Sequence, residues 1–332
     1  MAEKLRWGIL GTGSIARQFG GGLRVSKTGE LAAVGSRSIE SAMKFASEFG
    51  GTPHGSYADL LGDPNVDAVY IATPHHLHME HTIATAQAGK GILCEKPFTL
   101  NALEAQRALA EVRKAGVFFM EAFMYRCHPQ TIKLGQLIRE GAIGKPLNVN
   151  SEFGFHARRE GWDNFRANGA LGGGGLMDVG TYCVSLSRYV AGEEPDVLHY
   201  TARIGEKGYD ETGSGCMAFP GGMNAHFGTG VHVDMRNDAW VYGESGMIHL
   251  ENPWKVSEGS KMTLRRRGAE PEVFDLGGSN DQLYAYEADA VAEFFERREC
   301  PYVTLDDTLG QMRALDALRR SVGLTFEAEM KA

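Results

Sequence analysis

Apolar and polar positions follow two alternating periods over the first 120 residues of the chain. Helical spacing of apolar residues predicts helices at Ile39–Phe49, Glu80–Ala88 and Leu103–Ala115. Short apolar runs predict buried strands around these helices, at Trp7–Leu10, Leu31–Val34, Ala68–Ala72, Gly91–Cys94 and Val117–Met120. Strands that alternate with helices are connected by right-handed crossovers. The pattern therefore predicts an α/β domain with a doubly wound parallel sheet.

The pattern changes after residue 122. Residues 147, 149, 151, 153 and 155 fall on one side of an alternating strand, and later strand candidates lie near 198–204, 213–219, 223–233, 238–243 and 246–251. Turn sequences at 220–222 and 243–246 favour antiparallel hairpins, and two segments with helical spacing close the chain. These features predict a second, α+β domain over residues 123–332 with a mostly antiparallel open sheet, following a first domain over residues 1–122.

Composition narrows the classes of protein. With 332 residues, 34 basic and 42 acidic, the chain carries a formal charge of −8, which disfavours a nucleic-acid partner. No apolar run approaches the roughly 20 residues that span a bilayer. The five scattered cysteines indicate neither a disulfide framework nor a zinc knuckle. The first residues enter a strand-like run at once, which leaves no room for a signal peptide, so we expect a cytoplasmic protein.

Glycine is the compositional outlier, at 43 residues, and its first cluster follows the first strand. The sequence Gly11-Thr-Gly13-Ser-Ile-Ala16 joins this strand to a helix, as in the turn that binds a dinucleotide pyrophosphate in Rossmann domains. Gly11 permits the tight turn, Gly13 permits close backbone approach, and the helix N-terminus offers N–H groups to the anion. A purely structural loop is the alternative. The run at 20–22 predicts an interruption of the helix that follows.

The end of the second strand indicates which dinucleotide binds. An NAD enzyme carries an acidic residue here for the ribose 2′-hydroxyl, but this chain has Ser36-Arg37-Ser38. A guanidinium matches phosphate oxygens, so NADP is predicted in preference to NAD. A surface arginine at the start of the next helix is the alternative.

Two further segments end strands on the ligand-binding side of the sheet, Thr73-Pro-His-His-Leu-His78 and Glu95-Lys96-Pro97. The histidines, with His81, have no carboxylate or cysteine set beside them, so no metal site is predicted. The predicted cofactor-binding residues are Gly11, Thr12, Gly13, Ser14, Ile15, Ser36, Arg37, Ser38, Thr73, Pro74, His78, Glu95 and Lys96.

The second glycine cluster, Gly172–Gly175, lies just before Asp178 and Tyr182. Glycines here predict close approach of the backbone to another group, for which we consider the nicotinamide and the substrate. If the segment is helical, the i, i+4 spacing places the carboxylate and the phenol on one face. A capping Asp178 and a core Tyr182 are the structural alternative.

Four stretches, taken in order, resemble the glucose–fructose oxidoreductase/inositol dehydrogenase (Gfo/Idh/MocA) family: Gly11–Ala16, Thr73–His78, Glu95–Pro97 and Gly173–Tyr182. Within that family, residues 120–129, 178–183 and 246–253 are similar to the branch of dimeric dihydrodiol dehydrogenases and NADP-dependent D-xylose 1-dehydrogenases. The chain departs from the wider family at Tyr182, where histidine is frequent, and at His75, where asparagine is usual. The first departure argues against inositol dehydrogenase, and the second removes His75 from the expected contacts.

The resemblance implies that Lys96 is the catalytic lysine and that Asp178 contacts substrate. It also suggests that Arg126, Trp162 and Arg166 line the substrate cleft. Trp254 is predicted to close that cleft with an aromatic face, and a buried sheet tryptophan is the alternative.

A mechanism follows from these assignments. Oxidation of a carbinol requires a base for the hydroxyl proton while hydride leaves for the nicotinamide. An ammonium beside a phenol favours the phenolate, so we assign Tyr182 as the general acid/base and Lys96 as its electrostatic partner. The opposite assignment, with Lys96 as the acid/base, is the alternative. Asp178 orients the substrate.

The predicted function is NADP-dependent hydride transfer to or from a sugar, such as D-xylose or glucose, or a cyclic trans-diol. A non-catalytic NADP-binding regulator and a redox-assisted glycoside-processing enzyme are the alternatives. Residues 1–122 are then the NADP-binding domain, and residues 123–332 the domain for substrate binding and oligomerisation. An open sheet face without covering helices predicts a homodimer or a higher homo-oligomer.

Overall fold

The computed structural model of the protein describes residues 4–157 and 164–326. The chain divides into two compact units, each described by itself below. Unit 1 comprises Met1–His128 and Ser279–Leu309, and unit 2 comprises Pro129–Gly278 and Gly310–Ala332. The segment Ser279–Leu309 thus packs with unit 1, although the sequence pattern grouped it with the second domain. The assignment of cofactor binding to the first domain and of substrate binding to the second stays a prediction.

Unit 1 is built on a parallel sheet of six strands in the order β3-β2-β1-β4-β5-β6. The strands are β1 Leu5–Leu10, β2 Gly29–Gly35, β3 Thr52–His54, β4 Ala68–Ile71, β5 Gly91–Glu95 and β6 Phe119–Ala122. The helices are α1 Ser14–Val25, α2 Ile39–Phe49, α3 Tyr57–Leu61, α4 His78–Gln87, α5 Ala102–Ala115 and, later in the chain, α8 Asn280–Phe294. The first strand occupies the middle of the sheet, so the turn after β1 lies where the strand order reverses. This is where open α/β sheets bind ligands.

The predicted interruption of α1 at residues 20–22 is wrong. Helix α1 runs unbroken from Ser14 to Val25, and all three glycines in it are buried. A Cβ on Gly21 would lie 2.6 Å from Asp281 Oδ1, and one on Gly22 would lie 2.6 Å from Tyr284 Cβ, both on α8. The glycines therefore allow α1 and α8 to pack closely, and this contact stabilises a helix that propensity alone disfavours.

Unit 2 contains an eight-stranded sheet in the order β14-β13-β12-β11-β7-β10-β9-β8. All neighbours are antiparallel except β7 and β10, which are parallel. The strands are β7 Pro146–Gly154, β8 Val197–Ile204, β9 Asp210–Ala218, β10 Asn224–Gly230, β11 Asp238–Gly243, β12 Gly246–Glu251, β13 Lys261–Arg266 and β14 Glu272–Asp275. The helices are α6 Pro129–Arg139, α7 Thr181–Ala191 and the last part of α9 Leu305–Ser321, which begins in unit 1. The predicted α/β and mostly antiparallel α+β architectures are both confirmed.

The two faces of this sheet differ in burial. Val149, Phe227 and Val241 are buried on one face, whereas the alternate residues of the same strands are half-buried or exposed. Strand register aligns a row across the second face, formed by His199, Cys216, His226, Asn150, Trp240 and His249. We call the face that carries this row the open face.

Candidate functional site

The glycine turn after β1 has the features of an anion site. Gly11 has φ +111°, and a Cβ there would lie 3.1 Å from the Ala72 carbonyl oxygen, so only glycine fits. Around Gly13 nothing lies within 4 Å of a Cβ position, which leaves the backbone accessible to a ligand. Gly13 is the N-cap of α1 and supplies no side-chain cap, and the first turn has no acidic residue. The N–H groups of Ser14 and Ile15 thus lie in the first turn of a helix whose positive end suits a pyrophosphate.

The segment after β2 presents one cation. Arg37 is exposed, whereas Ser36 is only 8% exposed. The Tyr57 hydroxyl bonds to the Arg37 guanidinium, and burial nevertheless raises the pKa of Tyr57 above its usual value. The hydroxyl of Ser38 is used within the protein, because it accepts from Ser41 N at 3.3 Å and donates to Glu40 Oε2 at 2.5 Å. Arg37 is therefore the exposed cation at the position where the sequence predicts a contact with a 2′-phosphate.

His78 connects the two segments that end β4 and β5. Its Nε2 lies 2.7 Å from the Thr73 carbonyl oxygen, and its Nδ1 lies 3.1 Å from those of Pro97 and Phe98. Burial lowers the pKa of His78 to about 4, so the ring is neutral at pH 7 and carries one N–H. Because both ring nitrogens face protein carbonyls, His78 shapes the site and does not offer these nitrogens to a cofactor, contrary to the predicted direct contact.

Thr73 and Glu95 are also held from within unit 1. The Thr73 hydroxyl lies 2.9 Å from His81 Nδ1, and Pro74 begins the short turn that follows. The carboxylate of Glu95, which is 7% exposed, accepts the Tyr70 hydroxyl and, at 3.2 Å, the backbone N–H of Lys96. Lys96 itself is half-buried at the carboxyl end of β5. Glu95 thus fixes the backbone of the residue that carries the predicted catalytic ammonium.

The predicted glycine-rich segment of unit 2 brings together Asp178 and Arg166. Arg166 Nε donates to Asp178 Oδ1 at 3.1 Å, and the Arg166 carbonyl accepts Gly174 N–H at 2.9 Å. A Cβ on Gly173 would lie 2.3 Å from that carbonyl oxygen. Gly173 is therefore required by packing inside unit 2. The expectation that the run Gly172–Gly175 brings backbone beside a ligand is not needed to explain these glycines.

Asp178 and Tyr182 lie on consecutive turns of one helical segment. Asp178 is in a π turn, Leu176–Gly180, that continues directly into α7. Such turns are rare and are found often at functional sites. The ring of Tyr182 contacts those of Phe153 and Trp254, at centroid distances of 5.2 and 6.0 Å. The phenol of Tyr182, at 4% exposure, is thereby set in an aromatic cluster.

The remaining predicted substrate residues have different outcomes. Trp254 has no exposed surface, and its indole donates to the Glu152 carbonyl at 2.8 Å, so the predicted aromatic wall is wrong and Trp254 supports Tyr182 instead. Arg126 is 6% exposed and its Nη1 donates to Asp307 Oδ2 at 3.1 Å. Trp162 lies outside the described residues.

The sequence pattern did not identify the residues, distant in the chain, that hold these segments by hydrogen bonds. Tyr70 bonds Glu95, Asp307 bonds Arg126, and Asp210 bonds the backbone of Leu176 at 2.7 Å. Their separations in sequence are 25, 181 and 34 residues, and no spacing rule connects such partners. Within residues 4–157 and 164–326, no group of three or more His, Cys, Asp or Glu residues is suited to hold a metal ion. Over the same residues, no helix has the length and apolar character needed to cross a bilayer.

The glycine turn after β1, the lysine after β5 and the acid–phenol pair of unit 2 are features expected of a nicotinamide-dependent oxidoreductase. Comparison with known proteins agrees. The family described as "Oxidoreductase family, NAD-binding Rossmann fold" matches residues 5–123, and the "GFO/IDH/MocA C-terminal domain" matches residues 131–249.

Relatives extend over the whole chain. Trans-1,2-dihydrobenzene-1,2-diol dehydrogenase of Mus musculus is 33% identical over 98% of this chain and 99% of its own, and the Homo sapiens enzyme is 31% identical over the same shares. Among solved structures, aldose-aldose oxidoreductase from Caulobacter crescentus has a TM-score of 0.88 at 27% identity, covering 96% of this chain and 97% of its own. The 3-ketoreductase KijD10 of Actinomadura kijaniata, solved with NADP and TDP-benzene, has a TM-score of 0.85 at 26% identity and covers 96% and 98%. The chain belongs to the Gfo/Idh/MocA oxidoreductase family and is an NAD(P)-dependent dehydrogenase.

Proposed function

We propose that the protein transfers hydride between NADP and a carbinol carbon of a sugar, such as D-xylose or D-glucose, or of a cyclic trans-diol. The observation that carries this proposal is the Arg166–Asp178 pair set one turn before Tyr182 in a buried helical segment. A carboxylate and a phenol on adjacent turns match the needs of a substrate that presents neighbouring hydroxyls. Similarity to dihydrodiol dehydrogenases and sugar oxidoreductases supports the same substrate class.

The cofactor preference rests on unit 1. The turn at Gly11–Gly13 fits a pyrophosphate, and the segment after β2 offers the exposed Arg37 without an acidic residue in the position that binds a ribose 2′-hydroxyl. When bound, the nicotinamide supplies the hydride acceptor or donor. Arg37, flanked by Ser36 and Ser38, would hold the 2′-phosphate, and Thr73, Pro74 and Lys96 would hold the nicotinamide end. Glu95 and His78 hold these segments in place.

Proton transfer is assigned to Tyr182. Its phenolate accepts the substrate hydroxyl proton during oxidation, and the resulting phenol returns the proton during reduction. Lys96 would favour the phenolate electrostatically. Asp178 accepts hydrogen bonds from substrate hydroxyls and Arg166 holds its carboxylate in place. Arg126 and Trp162 contribute to substrate binding.

The test is a panel of D-xylose, D-glucose, 1,5-anhydro-D-glucitol and trans-1,2-dihydrobenzene-1,2-diol with NADP⁺ or NAD⁺, followed at 340 nm. Turnover with NADP⁺ is expected for at least one. Tyr182→Phe should lower kcat by about 10² or more with little change in NADP affinity, because the phenol is a proton acceptor. A Lys96→Met variant and the double variant then show whether both groups act in one step, since a combined loss smaller than the product of the single losses indicates coupling.

Three outcomes would contradict the proposal. Near-wild-type turnover of Tyr182→Phe would remove the phenol from proton transfer. NADP binding without turnover on any substrate would favour a regulator, and aglycone release without net NADPH formation would favour a glycoside-processing enzyme.

The assembly we propose is a homo-oligomer, with a homodimer as its smallest form, that buries the open face of unit 2. Trp240 on this face stacks on His249 at a centroid distance of 3.9 Å, and Tyr242 stacks beside it at 6.1 Å. An uncovered aromatic sheet face of this kind is usual at subunit contacts. A cytoplasmic location, suggested by the cysteine content, completes the proposal.

A further inference from the structure

Two buried side chains hold the peptide unit at which the helix of Asp178 and Tyr182 begins. The Leu176 N–H donates to Asp210 Oδ2 at 2.7 Å, and the Thr229 hydroxyl donates to the Gly175 carbonyl at 2.9 Å. The N–H and the C=O of the peptide between residues 175 and 176 are therefore both bonded to side chains. Asp210 is 1% exposed and Thr229 is fully buried, so water does not compete for either bond.

The helix has no cap from its own sequence. Its N-cap is Gly175, which has no side chain, and the first N–H groups of any helix lack partners within it. Asp210 lies on strand β9, and its carboxylate interacts with the positive N-terminal end of this helix. The Tyr200 hydroxyl donates to the same oxygen at 2.7 Å and fixes the orientation of the carboxylate.

Glycines make this arrangement sterically possible. Gly174 has φ +120°, and a Cβ there would lie 2.0 Å from Asp210 Oδ1. A Cβ on Gly180 would lie 3.1 Å from Thr229 Oγ1. The segment from Gly174 to Gly180 therefore lies against both side chains, and it contains Asp178.

We propose that Asp210 and Thr229 are positioning residues that fix the start of this helix and, through it, the placement of Asp178 and Tyr182. A shift of the helix register by one residue turns the side chains by about 100° and moves them by about 1.5 Å, which is enough to remove a reacting group from its place. The inference rests on the proposed function, since that function assigns Asp178 and Tyr182 to the reaction.

We call the hydrogen bonds of Asp210 and Thr229 with the peptide between residues 175 and 176 the clamp. The first experiment tests the clamp without any substrate. In Thr229→Val, which keeps the shape and removes the hydroxyl, amide hydrogen exchange of residues 174–182 should become about tenfold faster, because a buried hydrogen bond at the helix start is lost. The matched control is Thr131→Val on α6 of the same unit, whose buried hydroxyl has no hydrogen-bond partner among the described residues. Exchange in residues 174–182 should be unchanged in that control. Equal exchange of this segment in Thr229→Val and wild type would overturn the proposal.

The second experiment measures the consequence for catalysis, with D-xylose and D-[1-²H]xylose as probes. Thr229→Val should lower kcat by about fivefold or more with KM changed by less than about twofold, and it should raise the deuterium isotope effect on kcat, because hydride transfer becomes slower relative to product release. A loss of folded enzyme lowers kcat without changing the isotope effect. A lower kcat with an unchanged isotope effect would therefore overturn the positioning role.

A pair of substitutions at Asp210 provides an independent check. Asp210→Ala removes the acceptor and should repeat the effects of Thr229→Val, whereas Asp210→Asn keeps an acceptor oxygen for Leu176 N–H and should restore most of the rate. Failure of Asp210→Asn to exceed Asp210→Ala would contradict the role of the acceptor. If wild type oxidises no sugar or diol, the proposed function fails, and the exchange experiment still decides whether the clamp exists.

Discussion

Arg37 is the residue at which this chain departs most plainly from an NAD-binding pattern. It is exposed at the end of β2 and is bonded to the Tyr57 hydroxyl, which restricts where the guanidinium lies. Arginine forms paired hydrogen bonds to phosphate oxygens, and these bonds are charge-assisted. We therefore expect this single side chain to decide the preference between two cofactors that differ by one phosphate.

Arg37→Asp should weaken NADP binding by about 10² or more, through loss of the charge-assisted bonds and new repulsion, while NAD binding changes by less than about fivefold. Dissociation constants from NADPH and NADH fluorescence titrations measure this difference. Arg24→Asp, on α1 away from the β2 segment, is a control of equal charge change. Equal weakening of both cofactors by Arg37→Asp would contradict the 2′-phosphate role.

Asp210 makes the stability of unit 2 depend on pH. Burial raises its pKa to about 6, against the hydrogen bonds from Tyr200 and Leu176 and the charge of Arg319, all of which lower it. In an unfolded chain the same carboxyl titrates near 4. Because the pKa of Asp210 is higher in the folded chain, protonation of Asp210 stabilises the folded state fully below about pH 4. This stabilisation is lost as the pH rises to about 6.

Asp210→Asn does not titrate, so its stability relative to wild type should improve by about 3 kcal/mol between pH 4 and pH 7. Thermal unfolding of both proteins at pH 4.5, 5.5 and 7 measures the change. Tyr200→Phe should move the transition to higher pH, since a bond that favours the carboxylate is removed. A difference between wild type and Asp210→Asn that stays constant with pH would disprove the assignment.

At the scale of elements, the contact between α1 and α8 shows how packing overrides local preference. Three successive glycines disfavour a helix, yet each lies where a larger residue would collide with a neighbouring side chain or backbone. The sequence indicates that these positions are unusual, but only packing explains them, because Gly20 faces Phe49 of α2 and Gly21 and Gly22 face α8. The elements β3 and α3 were missed because three and five residues are too few for a periodic pattern. The terminal strands β13 and β14 were also missed.

Gly22→Ala should lower the free energy of unfolding by about 2 kcal/mol and the melting temperature by about 4–8 °C, because the added Cβ would lie 2.6 Å from Tyr284 Cβ and 2.9 Å from Ala285 N. Differential scanning calorimetry measures this loss. Gly62→Ala is the matched control, since its nearest neighbours are at 3.5 and 3.6 Å, and it should change stability by less than about 0.5 kcal/mol. If both variants melt alike, close α1–α8 packing does not explain the glycines.

At the scale of the whole molecule, the contacts within a single chain do not explain the side chains of the open face. It carries aromatic, histidine and amide side chains in register across six strands, whereas the opposite face of the same sheet is buried. A second copy of the chain is the occupant that we propose for it.

Sedimentation velocity at micromolar concentration should show an oligomer for wild type. Asn150→Arg, in the middle of the open face, should dissociate it by placing a charge at the contact. Met43→Arg, at a residue of α2 that is 57% exposed, should leave the assembly intact. A monomeric wild type, or dissociation by both variants alike, would contradict the proposal.

The sequence by itself determined the two architectures, the glycine turn, the cation after β2 and the order of the family motifs, because periodicity and short spacings are local properties. Only the tertiary structure decided how these parts are held. It showed that His78 faces carbonyls of two loops, that Trp254 is buried behind Tyr182, and that Asp210 and Thr229 hold the start of the helix that carries Asp178. Each of these contacts joins residues from separate elements, and hydrogen-bond partners brought together by folding leave no signature in the spacing of the chain.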